Sequence, residues 1–234
     1  MLIFIAGMPR SGSTYSFNVV RRALSRRGSV ASVTSDKRAQ FTSNETAHAI
    51  YKAHDADDEL LSLLRSGSVK SICTIRKPES AVLSWLNTFG GEPADVVDTV
   101  MLPWMRLYER IAAYSLILSM DEIENRRLLS TWKVGRYVCP DYSLLEWAKD
   151  CHNLSKRRVS YLLKEIESRK RQVVDGGWTY YDEETFFHRR HISDRNQFIT
   201  KPDVLADIRK RLAPWLDKNG DLIRLDRNLM SPGQ

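Results

Sequence analysis

A loop framed by two glycines near the N-terminus contains the residue types of an anion-binding site. The apolar run at positions 2–6 leads into Gly7-Met-Pro-Arg-Ser-Gly12-Ser-Thr14, and a segment of helical character follows. A strand that passes through a turn into a helix points several backbone N–H groups at one place, where the helix N-terminus adds partial positive charge. The glycines let the backbone approach an oxygen atom closely, and Arg10 supplies a permanent cation. We therefore predict an anion site, whose hydroxyl groups belong to Ser11, Ser13 and Thr14.

The loop differs from the GxxxxGK[ST] loop of nucleoside triphosphatases in one residue. Ser13 stands where the lysine is required, and the nearest cation, Arg10, lies inside the loop. Kinases and NTPases of this class use that lysine, with Mg²⁺, on the β- and γ-phosphates. The substitution disfavours ATP chemistry, although a metal-dependent P-loop kinase or NTPase stays open as an alternative.

Two segments resemble the nucleotide-binding segments of sulfotransferases. Pro9-Arg-Ser-Gly-Ser-Thr-Tyr15 resembles the family's 5′-phosphosulfate loop, commonly written P-K-S-G-T-T-W. The stretch at 72–85 resembles the 3′-phosphate segment, in which a strand ends in Arg, Pro follows two residues later and Ser follows eight residues later. Arg76, Pro78 and Ser84 have this spacing.

Two further segments agree with this resemblance. Lys52-Ala-His54 fits the family's K-x-H, in which the lysine contacts the sulfuryl group and the histidine is the general base. Some branches use a carboxylate instead, and Glu45 is then the candidate. The stretch at 187–200 resembles the late R-K-G…D-W-K-N-x-F-T region, which closes on the 3′-phosphate. It offers Arg189 or Arg190 for that contact.

The resemblance implies a donor, 3′-phosphoadenosine 5′-phosphosulfate (PAPS), and no metal ion. Arg10 and the backbone amides of residues 9–15 then contact the 5′-phosphate, and Tyr15, at the family's Trp position, stacks on adenine. Arg76 and Ser84 hold the 3′-phosphate. The acceptor is a hydroxyl or amine of a small molecule, carbohydrate or lipid, and aromatic residues such as Phe89, Trp104 and Tyr108 suggest a part-apolar pocket.

The remaining pattern predicts an α/β fold with a central parallel sheet between helical layers, the P-loop NTPase-like sulfotransferase fold. Apolar runs predict strands at 2–6, 29–33, 48–52, 69–75 and 116–119. Helical spacing predicts helices at 14–27, 57–65, 79–86, 94–115 (interrupted by Pro103), 142–172 (one long helix or a pair) and 202–216. Strands that alternate with helices favour parallel pairing. We expect a single domain over 1–234, with a helical elaboration around 142–172.

Composition limits the partners and the compartment. The formal net charge of +7 favours polyanionic partners. A basic nucleic-acid-binding domain is therefore a further alternative, but no helix-turn-helix, RNP or zinc motif is present. Three cysteines without CxxC spacing and the lack of an 18-residue apolar run predict a cytoplasmic protein without a membrane span.

Overall fold

The computed structural model describes residues 1–34, 47–168, 174–175, 180–182, 185–187 and 202–223. Five parallel strands form one sheet in the order β2-β3-β1-β4-β5. Their bounds are β1 (Leu2–Gly7), β2 (Val30–Thr34), β3 (His48–Ala53), β4 (Lys70–Ile75) and β5 (Ser115–Ser119). Two short strands, β6 (Val174–Asp175) and β7 (Tyr180–Tyr181), form a separate antiparallel pair.

Helices connect the strands and cover both faces of the sheet. They are α1 (Ser13–Ser25), α2 (Asp58–Arg65), α3 (Pro78–Phe89), α4 (Pro93–Val96), α5 (Leu102–Ile111), α6 (Met120–Asn125), α7 (Arg127–Val138), α8 (Leu144–Asn153), α9 (Lys156–Glu167) and α10 (Pro202–Leu212). Within the described ranges, none of these helices has the length and hydropathy needed to cross a bilayer.

The sheet separates two apolar cores. Ile3 and Ile5 of β1 face a core built with α1, α7 and α9, whereas Phe4 and Ala6 face a core built with α2, α3, α5 and α10. Burial on both faces explains why β1 is a continuous apolar run. This arrangement of helix, parallel sheet and helix confirms the predicted three-layer α/β fold class.

One helix of the structure, α7, was not predicted at all. Of the two forms expected for residues 142–172, a long helix or a pair, the structure has the pair, α8 and α9. The Ser155 hydroxyl, which accepts from the Arg158 N–H, starts the second of them. The segment 94–115 is divided as predicted near Pro103: a π-helical turn at Val97–Met101 precedes α5, and Pro103 lies in the first turn of α5, where a missing N–H is tolerated.

A buried carboxylate attaches α8 to α1. Asp150 is fully buried and accepts hydrogen bonds from Arg22 Nε (2.7 Å), from Arg26 and from the Tyr142 hydroxyl (2.8 Å). Just after the C-terminal end of α1, Arg27 binds Asp141, whose side chain is 73% exposed. The two carboxylates belong to one arginine-rich contact but differ in burial.

We predict that Asp150→Ala lowers the free energy of unfolding by about 3 kcal/mol, because it leaves two arginines and a buried hydroxyl without their partner. Asp141→Ala is the matched control, and we expect little change because its carboxylate is in water. Chemical denaturation measures both. Equal effects of the two substitutions would contradict the role of the buried network.

Candidate active site

The loop between β1 and α1 has an unusual backbone. Arg10 (φ 65°) and Gly12 (φ 88°) both lie in the left-handed region, and Gly12 is the N-cap of α1. A Cβ at Gly7 would collide with the Ser13 side chain. The turn is therefore tight, and the first turn of α1 begins directly at it, as an anion site at a helix N-terminus requires.

The Ser11 hydroxyl attaches this loop to the neighbouring strand. Its Oγ is fully buried and lies 2.6 Å from Met8 O, 2.9 Å from Thr74 O and 2.7 Å from Thr74 Oγ1. The Met8 N–H also donates to Thr74 O at 2.9 Å. The loop is thus fixed to the carboxyl end of β4.

Arg76 and Ser84 meet the loop at Arg10. Arg76 follows the last residue of β4, and Pro78 begins α3, which carries Ser84. Arg10 Nε donates to Ser84 Oγ at 3.1 Å, and Arg76 Nη1 donates to Arg10 O at 3.3 Å. The two segments predicted to bind two phosphates are therefore in direct contact, although 74 residues separate Arg10 from Ser84.

His54 follows β3, whose end lies beside the end of β1 because Ala53 pairs with Ala6. His54 Nδ1 is 2.5 Å from Gly7 O. A carbonyl only accepts, so Nδ1 carries the proton and Nε2 keeps a lone pair. The bond fixes the tautomer that a general base needs.

Burial lowers the pKa values of His54 and Lys52 at this strand end, and a neighbouring cation adds to the effect on His54. His54 is exposed as a residue, yet desolvation by the surrounding protein lowers its pKa, and the charge of Lys52 lowers it further. Burial lowers the pKa of Lys52 to about 8. The Lys52 Nζ lies 5.7 Å from the centroid of the Phe186 ring. His54 is accordingly neutral at pH 7, and Lys52 is mostly charged.

One cavity of about 670 Å³ brings most of the predicted site residues together. Its wall contains Pro9, Arg10, Ser11, Gly12, Ser13, Thr14, Tyr15, Lys52, His54, Arg76 and Ser84. Glu45, Arg189 and Arg190 lie outside the described residues. Phe187, however, is in the cavity wall and precedes Arg189 by two positions.

Helix α7 adds a cation that the sequence prediction missed. The Arg127 guanidinium lies 5.2 Å from the centroid of the Tyr15 ring, and its Nη1 donates to Leu154 O at 2.7 Å. Its Nε is buried without a hydrogen-bond partner among the described residues. Tyr15 is buried as well, with its hydroxyl bonded to Thr131 and to Arg127 O. The Tyr15 ring that was predicted to stack on adenine therefore already stacks with Arg127.

The charge of the cavity wall is strongly positive. Its described cations are Arg10, Lys52, Arg76, Arg127 and Lys156, against the single carboxylate of Glu124. Such a wall suits a ligand with several negative charges. Lys156 begins α9, and no motif indicated it because the contact depends on how α9 packs.

Aromatic residues divide between this cavity and the core. Trp85 and Phe89 line the cavity, with ring centroids 4.5 Å apart. Trp104 and Tyr108 are instead buried in the apolar core beneath α5, so they do not form part of a pocket. A neighbouring cavity of about 860 Å³ shares Arg76, Met120 and Glu124 but contains neither the glycine loop nor His54.

We predict that Lys52→Met raises the pKa of His54, because it removes the cation that disfavours the imidazolium. Lys149→Met, on the exposed side of α8, is the control and should leave that pKa unchanged. An NMR titration of the histidine ring protons measures both. An unchanged His54 pKa in Lys52→Met would show that the two groups do not interact.

Comparison with known proteins supplies structural matches. No protein-family model and no curated protein sequence matches the chain. Mouse sulfotransferase SULT7A1, solved with PAP, superposes with a TM-score of 0.60 over 94% of this chain and 86% of that chain, at 16% identity. Retinol dehydratase superposes over 91% of this chain and 80% of its own, with androsterone and PAP (TM-score 0.59, 10% identity) and with retinol and PAP (TM-score 0.60, 11% identity). The chain has the sulfotransferase fold that its motifs predicted.

Proposed function

We propose that this chain is a sulfotransferase, which transfers a sulfuryl group from PAPS to a hydroxyl or amine of an acceptor. One observation carries the proposal: the glycine loop and the Arg76–Ser84 segment meet at Arg10, in the same cavity as Lys52 and His54. The likeness to structures solved with PAP (adenosine 3′,5′-bisphosphate) supports it.

In this proposal the cavity binds a nucleotide with two phosphate groups. Arg10 and the amides of the glycine loop would hold the 5′ end, and Arg76 with Ser84 would hold the 3′-phosphate. Arg189 or Arg190 completes that contact in the proposal. The buried Arg127 Nε, which has no partner among the described residues, offers one further hydrogen bond to the ligand.

PAPS supplies an activated sulfuryl group whose leaving group is a phosphate. The His54 Nε2 accepts the proton of the attacking hydroxyl or amine, while the Gly7 carbonyl holds Nδ1–H and orients the ring. The lowered pKa keeps this imidazole neutral at physiological pH, which is the form that can accept a proton. Glu45 is the alternative base.

Fixed cations supply the electrostatic part of the mechanism. Lys52, protonated below its pKa of about 8, is placed two residues from His54 and stabilises negative charge on the sulfuryl group. Arg10 stabilises the charge that grows on the departing phosphate. Because these groups are held before reaction, the proposed transfer does not require a metal ion.

The acceptor is proposed to be a small molecule, or a hydroxyl carried by a carbohydrate or lipid. The Trp85–Phe89 pair supports an acceptor with an apolar part. The cytoplasm is the proposed compartment, since all three cysteines are free thiols. Neither ATP hydrolysis nor nucleic-acid binding gains a specific observation in its favour.

We predict that PAP at about a hundred times its dissociation constant raises the melting temperature by about 5–10 °C. Arg76→Ala should remove most of this shift, because it removes a cation facing the 3′-phosphate. Arg106→Ala, at an exposed position of α5, is the matched control. Differential scanning fluorimetry measures the shift, and a larger effect of ATP than of PAP would overturn the proposal.

We predict that His54→Ala lowers kcat by about 10²- to 10⁴-fold while PAP binding is kept. His152→Ala, on the exposed side of α8, is the control. The assay is transfer from labelled PAPS to a panel of hydroxylated acceptors. For the wild type, kcat/KM should fall below pH 6.5, because protonation inactivates the base and its pKa is lowered from that ordinary value. It should fall again above about pH 8, where Lys52 loses the proton that makes it a cation. Full activity of His54→Ala would show that His54 is not the general base, and Glu45 would then be the candidate.

A further inference from the structure

Helices α7 and α8 carry an exposed apolar surface. Of the eight large apolar side chains that are exposed among the described residues, four are Leu128, Leu129, Leu144 and Leu145, at 45–69% exposure. Trp132 and Trp147 connect the two helices, with an edge-to-face contact of 6.2 Å between ring centroids. The Trp147 indole N–H also donates to Leu128 O at 2.8 Å. We call these four leucines and two tryptophans the α7–α8 face.

The carboxylates in the segment that contains this face form ion pairs with arginines of α1 or its C-terminal end. Residues 126–158 contain three of them, Asp141, Glu146 and Asp150. Each binds an arginine of α1 or its C-terminal end, at distances of 2.7–3.0 Å. The guanidinium of Arg27 lowers the pKa of Glu146 to about 2. The acidic groups of the segment are therefore compensated by α1.

The cations of the same segment are in excess. They number eight, namely Arg126, Arg127, Lys133, Arg136, Lys149, Lys156, Arg157 and Arg158. All except Arg127 are exposed, and Lys133 pairs with Glu122, which lies outside the segment, at 2.8 Å. Arg136 lies over the Trp132 ring, 5.7 Å from its centroid, so positive charge directly adjoins the apolar surface. Exposed leucines beside cations are the pattern of a segment that lies on an anionic membrane.

We propose that the α7–α8 face docks on an anionic lipid surface. The leucines would enter the boundary between headgroups and acyl chains, and the surrounding cations would contact the acidic headgroups. The docking is independent of the proposed sulfuryl transfer.

Charge and exposed apolar area disfavour the other occupants. A second copy related by a two-fold axis would bring two equally basic surfaces together, with repulsion between like charges. A polyanionic polysaccharide or nucleic acid would satisfy the cations, but the leucines would gain little burial against so hydrated a partner. An anionic lipid surface satisfies both features.

The test is co-sedimentation of the full chain with vesicles. One set is phosphatidylcholine alone, and the other contains phosphatidylserine as about a third of the lipid. Leu144→Ser combined with Leu145→Ser removes apolar area without a charge change, and Ile223→Ser is its control at an exposed apolar site elsewhere. Arg126→Gln with Lys149→Gln removes two charges, and Arg106→Gln with Lys210→Gln is the control with equal net charge.

We expect the wild type and both controls to bind only the anionic vesicles, and less strongly as salt rises. The leucine pair should weaken binding by about tenfold or more, and the cation pair by about fivefold per residue. Unchanged melting temperatures of the variants would confirm that they fold. The proposal is overturned if the wild type binds both vesicle types equally or neither, or if the face variants bind like their controls. A dimer in light scattering that only the leucine pair dissociates would instead identify a second copy as the occupant.

Discussion

The geometry of the site depends on the hydrogen bonds that hold the loop after β1 to the last residues of β4. Ser11 Oγ lies within 2.9 Å of Met8 O, Thr74 O and Thr74 Oγ1 and is fully buried. A buried hydroxyl that lost these partners would destabilise the fold by about 1–3 kcal/mol. Because the loop and β4 are held together, Arg10 and Arg76 are adjacent before any ligand binds. The two segments proposed to bind anions are thereby joined into one site.

The same sheet explains why the histidine lies opposite these cations. In the order β3-β1-β4, the end of β1 has the His54 strand on one side and the Arg76 strand on the other. Ligand sites in open parallel sheets occur at such carboxyl ends, where the connections leave in different directions. The chain here leaves β1 through α1 toward β2, and β4 through α3 toward β5. His54, Arg10 and Arg76 thus face one cavity as a consequence of strand order.

The sequence predicted the parallel sheet and the loop between β1 and α1, because both depend on local patterns. A doubly buried strand is a continuous apolar run, and the glycine loop is a strand, a turn and a helix in succession. Contacts between distant segments have no such pattern. Arg127 contacts Tyr15 across 112 positions in the chain, and Asp150 binds Arg22 across 128 positions. Helix α7 was missed because its buried side includes Ser130 and Thr131 while Leu128 and Leu129 are exposed, so no apolar stripe marks it. The stacking partner of Tyr15 was missed with it. The net charge of +7 also did not indicate that the positive charge is divided between the cavity and the α7–α8 face.

The central claim is that one cavity holds both phosphate groups of a single nucleotide. Calorimetric titration with PAP and with adenosine 5′-monophosphate tests it most directly, because the two ligands differ only in the 3′-phosphate. Contacts from Arg76 and Ser84 to that group predict at least about hundredfold tighter binding of PAP. Equal dissociation constants for the two nucleotides would show that no 3′-phosphate contact exists, and would contradict the account.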